Sequence, residues 1–266
     1  MAARLTTAEL NAIVACPLSK QSLRLVEGAD AQSPDGKETY PWTRGNWDRV
    51  PSACRSSRAW EVWDRLQANG QVSYRNDPEH NLAVGVRSDT AAFAQFCKFD
   101  GLVLDVGCGP EPWPAYFQGA SARTRYVGVD PLIGPSGPHF LQLRALAEYL
   151  PFAAGCFDQV VFATSLDHFV DPAQSLSEAR RVCRGGGEVL IWAGERLPGA
   201  PRPRVSPDWY LALQTPAGAQ DPFHMKRLSP GEVRACCAVC GLEVAERRTL
   251  PVDAFRRNHF FRLRAA

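Results

Sequence analysis

The sequence predicts an α/β protein with a mostly parallel sheet, as two apolar runs and a glycine turn indicate. The run 102–106 is apolar except for one aspartate, which is typical of a strand buried on both faces. It ends at Gly107 and Gly109, which allow a tight turn and close approach of a ligand. A second run, 126–129, ends at Asp130. Ends of neighbouring parallel strands meet at one edge, where we expect a ligand-binding cleft.

The acid that ends the second run is suited to a ribose. Asp130 follows the glycine turn by about twenty residues, and its carboxylate can accept hydrogen bonds from both hydroxyls of a ribose diol. The turn itself departs from the three-glycine fingerprint of dinucleotide-binding proteins, because Asp105 stands inside the strand and only two glycines follow.

The spacing Asp-x-Gly-x-Gly of residues 105–109, followed by the acid at 130, resembles motifs I and II of class I S-adenosylmethionine-dependent methyltransferases. Three later segments are similar to the ubiquinone-biosynthesis-like branch of that family. They are Ala-Glu-Tyr-Leu-Pro-Phe at 147–152, Phe-Asp-Gln-Val-Val at 157–161 and Arg-Val-Cys-Arg-Gly-Gly-Gly at 181–187. The resemblance covers about residues 88–264. It implies a Rossmann-like, seven-stranded, mostly parallel sheet with flanking helices, to which a small N-terminal module is added.

The resemblance also implies S-adenosylmethionine as the cofactor and assigns residues to it. Asp130 is expected at the ribose and Leu132 beside the adenine. Tyr74 and Arg87 are expected near the methionine carboxylate. The other residues assigned to cofactor binding are Asp105, Gly107, Cys108, Gly109, Pro131, Ala147, Glu148 and Ser165.

Polar residues beyond the fourth strand are the candidates for catalysis. This strand is expected to end at Thr164, so Asp167 and His168 follow on the cofactor side of the sheet. A neutral imidazole at His168 can accept a proton from a hydroxyl nucleophile, and His224 is the second candidate for this base. The alternatives are a structural histidine, a histidine that only orients the acceptor, and an acceptor that loses its proton to water.

Two segments are interpreted as walls of the cleft. Residues 56–87 form a linker or cap, and its aromatic side chains at helical spacing are more typical of core than of a substrate cage. The methyltransferase-like domain is assigned to residues 88–266. Within it, residues 195–225 contain six prolines together with Trp209, Tyr210 and Phe223, and we interpret them as a substrate lid.

The N-terminal residues 1–55 resemble a small zinc-ribbon-like module. Cys16 has no second cysteine three residues further on, because Ser19 stands there. We therefore expect a metal-free module and no metal site elsewhere. Packing, or helping to cover the active site, is the expected role, with a role in recognition as the alternative. The nine cysteines are interpreted as buried thiols in a reducing compartment.

Composition limits the classes of partner that we expect for the protein. The net charge of +2 gives no strongly basic surface for nucleic acid, and no apolar run reaches the length of a membrane span. We expect a cytoplasmic enzyme that methylates a small molecule, most simply on oxygen, with its oligomeric state undetermined by the sequence. One alternative is methylation of RNA or protein with the N-terminal module as recognition arm. Another is a non-catalytic binding module, because Glu111 and Leu146 depart from the family pattern.

Overall fold

The structure, a computed structural model, describes residues 3–43, 45–77, 87–110, 114–117, 120–132, 141–199 and 207–265. The strands of these segments are β1 Ala3–Arg4, β2 Ala31–Gln32, β3 Thr39–Tyr40, β4 Trp42–Thr43, β5 Asn46–Trp47, β6 Leu102–Val106, β7 Arg125–Val129, β8 Leu141–Leu143, β9 Phe157–Ala163, β10 Cys183–Arg196, β11 Leu242–Pro251 and β12 Arg256–Ala265. The helices are α1 Thr7–Asn11, α2 Ser52–Arg55, α3 Arg58–Asn76, α4 Ser88–Cys97, α5 Pro172–Val182, α6 Asp208–Leu211 and α7 Pro230–Val239. Among these, no helix has both the length and the apolar character needed to cross a membrane.

One large sheet organises the chain. Its order is β1-β7-β6-β9-β10-β12-β11, and β8 also pairs with β7. Every pairing is parallel except those of the final hairpin, in which β12 runs antiparallel to both β10 and β11. β1 contributes only two residues beside β7. The other seven strands form a seven-stranded, mostly parallel sheet. The fold that the sequence predicts is therefore confirmed.

The register brings the glycine turn and the acid-bearing turn together. Val106 at the end of β6 lies opposite Val129 at the end of β7, and the Gly107 amide donates to the Val129 carbonyl at 2.8 Å. β9 pairs with the other edge of β6. The carboxyl ends of these strands therefore form one edge, and the residues that follow them share a cleft.

Each face of the sheet carries its own core, because side chains alternate along a strand. One cluster joins Leu104, Val127 and Phe162 to apolar residues of α5, α7 and the N-terminal segment. The opposite cluster joins Val103 and Tyr126 to the aromatic residues of α4 and to buried residues of β9, β10 and β12. The helix α4 begins at Ser88, and Arg87 occupies its N-cap.

The N-terminal segment packs directly on this sheet. Leu10, Val14 and Tyr40 are buried in the same cluster as the strands of one face, and Lys20 forms an ion pair with Glu178 of α5 at 2.6 Å. The predicted boundary at residue 55 therefore does not separate two cores. Residues 23–25 have irregular backbone after an isolated bridge at Ser22.

Candidate active site

A cavity of about 650 Å³ opens at the carboxyl edge of the sheet. The ends of β6, β7 and β9 form its floor, one face of α3 forms a wall, and described residues of the predicted lid cover it. All the predicted site residues line this cavity except Asp105 and Cys108. Glu111, which departs from the family pattern, lies outside the described residues.

The glycine turn is closely packed on the residue that follows β9. Gly107 has a φ of 76°, and a Cβ there would lie 2.5 Å from the Ser165 Cβ. The Ser165 hydroxyl donates to the Val106 carbonyl at 2.7 Å, which joins the ends of β6 and β9. Gly109 has a φ of 71° and no heavy atom within 4 Å of its Cβ position. The backbone conformation favours glycine at both positions, and at Gly107 the contact with Ser165 also leaves no space for a side chain.

Asp130 joins two turns at the floor of the cleft. Its Oδ2 accepts from the Gly109 amide at 3.0 Å and its Oδ1 from the Leu132 amide at 2.8 Å. The residue is 8% exposed, and burial raises the pKa of the carboxyl although both amide hydrogen bonds oppose that shift. Each carboxylate oxygen can accept more than one hydrogen bond, so the group can still bind hydroxyls presented from the cavity.

Asp105 and Cys108 require a correction, because neither side chain reaches the cleft. Asp105 is fully buried, and its Oδ2 accepts hydrogen bonds from the hydroxyls of Tyr116 and Tyr126. Burial raises the pKa of Asp105 to about 7. The Cys108 thiol lies below the turn, 3.8 Å from the Gln142 amide nitrogen. The motif acid therefore supports the first two central strands from behind instead of contacting a ligand.

Glu148 also has a supporting role that its position in the motif does not reveal. It is 6% exposed, and its Oε1 accepts from the amides of Val170 at 2.8 Å and Asp171 at 3.0 Å. These bonds hold the loop between β9 and α5, which carries His168. Ala147 and Leu146 line the cavity beside it.

Three polar side chains meet at the other end of the cleft. His168 lies on a 3-10 turn just after β9, and its ring centroid is 4.4 Å from that of His224. The His168 Nε2 is 3.8 Å from Asp167 Oδ1, and the His224 Nε2 is 3.7 Å from Asp167 Oδ2. Burial is the main cause that lowers the pKa of His168. The structure therefore brings both predicted catalytic histidines together, although they are far apart in the sequence.

The remaining nitrogen of each imidazole is bound to an acceptor. The His168 Nδ1 lies 3.0 Å from the Phe223 carbonyl, and the His224 Nδ1 lies 2.8 Å from Asp221 Oδ1. A carbonyl and a carboxylate can only accept, so both Nδ1 atoms carry the proton in the neutral rings. The Nε2 atoms, which lie 3.7–3.8 Å from the Asp167 oxygens, then carry the lone pairs.

The predicted lid is held against α3 by one asparagine. The Asn69 side-chain amide donates to the carbonyls of Gln214 at 3.0 Å and Pro222 at 2.8 Å. Within the described part of the lid, the cavity-lining residues are Pro207, Trp209, Tyr210, Phe223 and His224. The predicted lid boundary at 195 needs correction because β10 continues through Arg196, and residues 200–206 lie outside the described chain.

One face of α3 is the largest part of the site for which the motifs give no signal. The cavity-lining residues of this helix and of its C-terminal end are Trp63, Leu66, Gln67, Gly70, Ser73, Tyr74 and Asp77. Their spacing of three or four residues is the periodicity that also predicts a core-facing helix. Trp63 is both buried and cavity-lining, so the face of α3 that packs inward also lines the site.

Arg87 lines the cavity, but its guanidinium is largely committed to a neighbour. Its Nη2 and Nε lie 2.5 and 3.0 Å from the two carboxylate oxygens of Asp89. Asp89 in turn accepts from the Asn258 amide at 3.0 Å. An anionic ligand group at this end would therefore meet a guanidinium whose charge is already paired.

Comparison with known proteins agrees with this geometry. A family model described as "Methyltransferase domain" matches residues 104–191, from β6 to the middle of β10. Residues 104–191 of the chain are thus similar to a methyltransferase domain. The matched region holds the glycine turn, Asp130 and the loop of His168, so both ends of the cleft include residues of this domain.

Curated relatives of the methyltransferase domain include two named ubiquinone biosynthesis O-methyltransferase. The protein of Aromatoleum aromaticum is 28% identical over 54% of this chain and 64% of its own length. That of Pseudomonas paraeruginosa is 30% identical over 54% of this chain and 65% of its own length. The chain thus spans somewhat less than two thirds of the length of these relatives.

Among solved structures, the 1,6-didemethyltoxoflavin-N1-methyltransferase of Burkholderia thailandensis is similar over 92% of this chain and 99% of its own. The TM-score is 0.57 and the identity 14%. At this identity the match shows a shared fold. That structure holds 1,6-didemethyltoxoflavin and S-adenosylhomocysteine.

Proposed function

We propose that the protein transfers a methyl group from S-adenosylmethionine to an oxygen atom of a small molecule. The observation that carries this proposal is the arrangement of polar groups along the cavity at the carboxyl edge of the sheet. A buried carboxylate and the turn of Gly107 and Gly109 lie at one end of the cavity, and two imidazoles with unprotonated Nε2 atoms line its other end.

The residues at the first end fit the cofactor. S-adenosylmethionine supplies an electrophilic methyl group on a sulfonium, so the protein has mainly to align the acceptor and exclude water. Asp130 binds the ribose hydroxyls, and the open Gly109 turn allows the backbone to approach the ligand. Leu132 and Leu146 provide apolar contacts for the adenine, while Tyr74 and Arg87 lie at the methionine end.

The residues at the second end fit the acceptor. His168 and His224 present lone pairs that can take the proton of a hydroxyl, and Trp209, Tyr210 and Phe223 supply apolar and aromatic surface above it. The names of the curated relatives, which are O-methyltransferases, support oxygen as the acceptor atom. A cavity of about 650 Å³ has the size of a small-molecule site.

The test is a turnover assay with the purified full chain, S-adenosylmethionine and a panel of small hydroxylated aromatic compounds. We expect S-adenosylhomocysteine to form together with a product in which a methyl group has replaced one hydrogen atom of the acceptor. The His168→Ala variant is the matched control, since it retains the cofactor end. Binding of S-adenosylhomocysteine without turnover on any acceptor, including RNA and protein, would instead support a non-catalytic binding module.

A further inference from the structure

We propose that Asp167, His168 and His224 form a binding site for a divalent transition-metal ion at the acceptor end of the cleft. One donor atom from each residue can be chosen so that all of them lie within 4.8 Å of one another. Binding of the ion itself follows from the geometry of these side chains, whereas its role in the reaction rests on the proposed function.

The distances within this cluster are close to those of a coordinated ion. The Nε2 atoms of His168 and His224 lie 3.8 and 3.7 Å from the two oxygens of Asp167. A tetrahedral ion with bonds of about 2.0–2.2 Å holds its donor atoms roughly 3.4 Å apart. Each imidazole nitrogen therefore lies within about half an ångström of the separation from a carboxylate oxygen that a bound ion would impose.

The chemistry of the cluster also calls for a cation. Both Nε2 atoms carry lone pairs, because each Nδ1 donates elsewhere, and Asp167 offers only acceptor oxygens. Separations of 3.7–3.8 Å are too long for an N–H···O hydrogen bond. Three electron-pair donors thus lie within 4.8 Å of one another without a proton between them. A positive ion bound among them would convert mutual repulsion into three bonds.

The surroundings resemble the support that metal-binding histidines receive in proteins. Such a histidine usually donates its other N–H to a carbonyl or carboxylate, which fixes the ring orientation. Here His168 is held by the Phe223 carbonyl and His224 by Asp221. Asp221 is itself bound by the Arg227 guanidinium at 2.9 Å, so the nearby cation is paired with a residue outside the cluster.

The ligand set indicates which ions fit. Two imidazole nitrogens and one carboxylate oxygen suit zinc or a similar first-row transition metal, whereas magnesium and calcium prefer oxygen ligands alone. Three protein ligands leave a coordination position for a substrate or water, as in catalytic zinc sites. His168 and His224 line the cavity, and the carboxylate oxygens of Asp167 lie 3.8 and 3.7 Å from their Nε2 atoms.

This site defines the acceptor as a small molecule with an ionisable hydroxyl that binds the metal ion. The ion lowers the pKa of the bound hydroxyl, whose proton is lost to water. The oxygen then forms a bond to the methyl carbon as the carbon–sulfur bond breaks, and that electron pair remains on the sulfur of S-adenosylhomocysteine. In this arrangement the Nε2 lone pairs bind the ion, so neither histidine serves as the base.

Zinc titration of the full chain after treatment with a chelator tests the proposal. We expect calorimetry to show one zinc ion per chain, with the affinity at least about 100-fold weaker in His168→Ala and in Asp167→Ala. Asp221→Asn should weaken binding by about 10–100-fold, because it removes only the support of His224. This variant keeps the test valid if a ligand variant fails to fold.

Free thiols provide the matched controls, since the chain has several cysteines that could bind zinc. Cys16→Ser and Cys236→Ser should leave the affinity and stoichiometry unchanged. Absence of zinc binding to the wild type, or binding that is lost in a cysteine variant but kept in His168→Ala, would overturn the proposal. S-adenosylhomocysteine binding to the chelated protein is measured in parallel. If that ligand binds and zinc does not, only the metal site fails; if zinc binds and that ligand does not, the proposed function fails.

Discussion

The two ends of the cleft are built in different ways. The cofactor end consists of turns that directly follow neighbouring strands, and the Asp130 carboxylate is held by backbone amides of two such turns. The acceptor end consists of side chains from a loop, a lid and a helix that are distant in sequence. His168 is oriented by the Phe223 carbonyl, and the lid carrying Phe223 is fastened to α3 by Asn69.

This difference has a functional consequence. Backbone turns at parallel strand ends are fixed by the sheet, so a ligand common to many relatives can be bound there in the same way. Side chains supplied by loops and lids can change without disturbing the sheet, and they determine which acceptor is methylated. We therefore expect substitutions at the two ends to have separable effects on cofactor affinity and on turnover.

The largest separable effect is expected at His168. His168→Ala removes a group that activates the acceptor, either as a base or as a metal ligand, and should lower turnover by about 10²–10⁴-fold. Affinity for S-adenosylhomocysteine should stay within about twofold, because the side chain binds to lid and loop residues only. His224→Ala is the partner variant. Full activity of both variants in a steady-state assay would show that alignment alone carries catalysis.

A second effect concerns Asp105, which supports the cofactor end from behind. Its pKa in the folded chain is about 7 against an ordinary 3.8, so the folded state binds this proton more tightly than the unfolded state. The free energy of unfolding should therefore fall as pH rises from about 4 to about 7, by a few kcal/mol at most.

The matched variant for this pH dependence is Asp105→Asn. It retains an oxygen for Tyr116 and Tyr126 but cannot ionise, so its stability should lack this contribution between pH 4 and 7. Urea denaturation of both proteins across that range measures the difference. Parallel pH profiles for the two proteins would show that Asp105 does not titrate in this window.

The two glycines of the cofactor end should respond unequally to alanine. Both have a positive φ, which costs about 1 kcal/mol or more for a residue with a side chain. Only at Gly107 would the new methyl also collide with Ser165. We expect Gly107→Ala to reduce the free energy of unfolding by roughly 1–3 kcal/mol more than Gly109→Ala. Equal losses in chemical denaturation would contradict the packing argument.

The smallest effect should come from the attachment of the lid. Asn69→Ala removes two hydrogen bonds to lid carbonyls, each worth about 0.5–1.5 kcal/mol. The KM for the acceptor should rise by about 5–30-fold, since the acceptor end is no longer preorganised. The affinity for S-adenosylhomocysteine serves as the internal control and should not change. A loss of cofactor affinity of the same size would mean that α3 serves both ends.

The sequence was informative where contacts are local. The strand, glycine turn and acid of the cofactor end lie in one ordered set of motifs, so Gly107, Gly109 and Asp130 could be assigned from residue types and spacing. The capping box of α7, in which the side chains of Ser229 and Glu232 bind each other's backbone amides, is local in the same way.

Tertiary contacts explain what the sequence did not reveal. Asp105 fits the family pattern, but only the fold shows that two tyrosine hydroxyls face it from behind the sheet. Nothing in the sequence near His168 indicates that its ring lies against that of His224, or that the Asp167 carboxylate lies within 4 Å of both Nε2 atoms. The N-terminal segment has the turn pattern of a separate module, yet its apolar side chains complete a core on the sheet.

The most direct test of the division of the cleft is one paired calorimetric measurement of S-adenosylhomocysteine binding, to Asp130→Ala and to His168→Ala. Loss of a hydrogen bond to a charged acceptor costs roughly 1.5–3 kcal/mol, so Asp130→Ala should bind at least about tenfold more weakly than the wild type. His168→Ala should bind as the wild type does. Unchanged affinity in Asp130→Ala, or an equal loss in both variants, would contradict the assignment of the two ends.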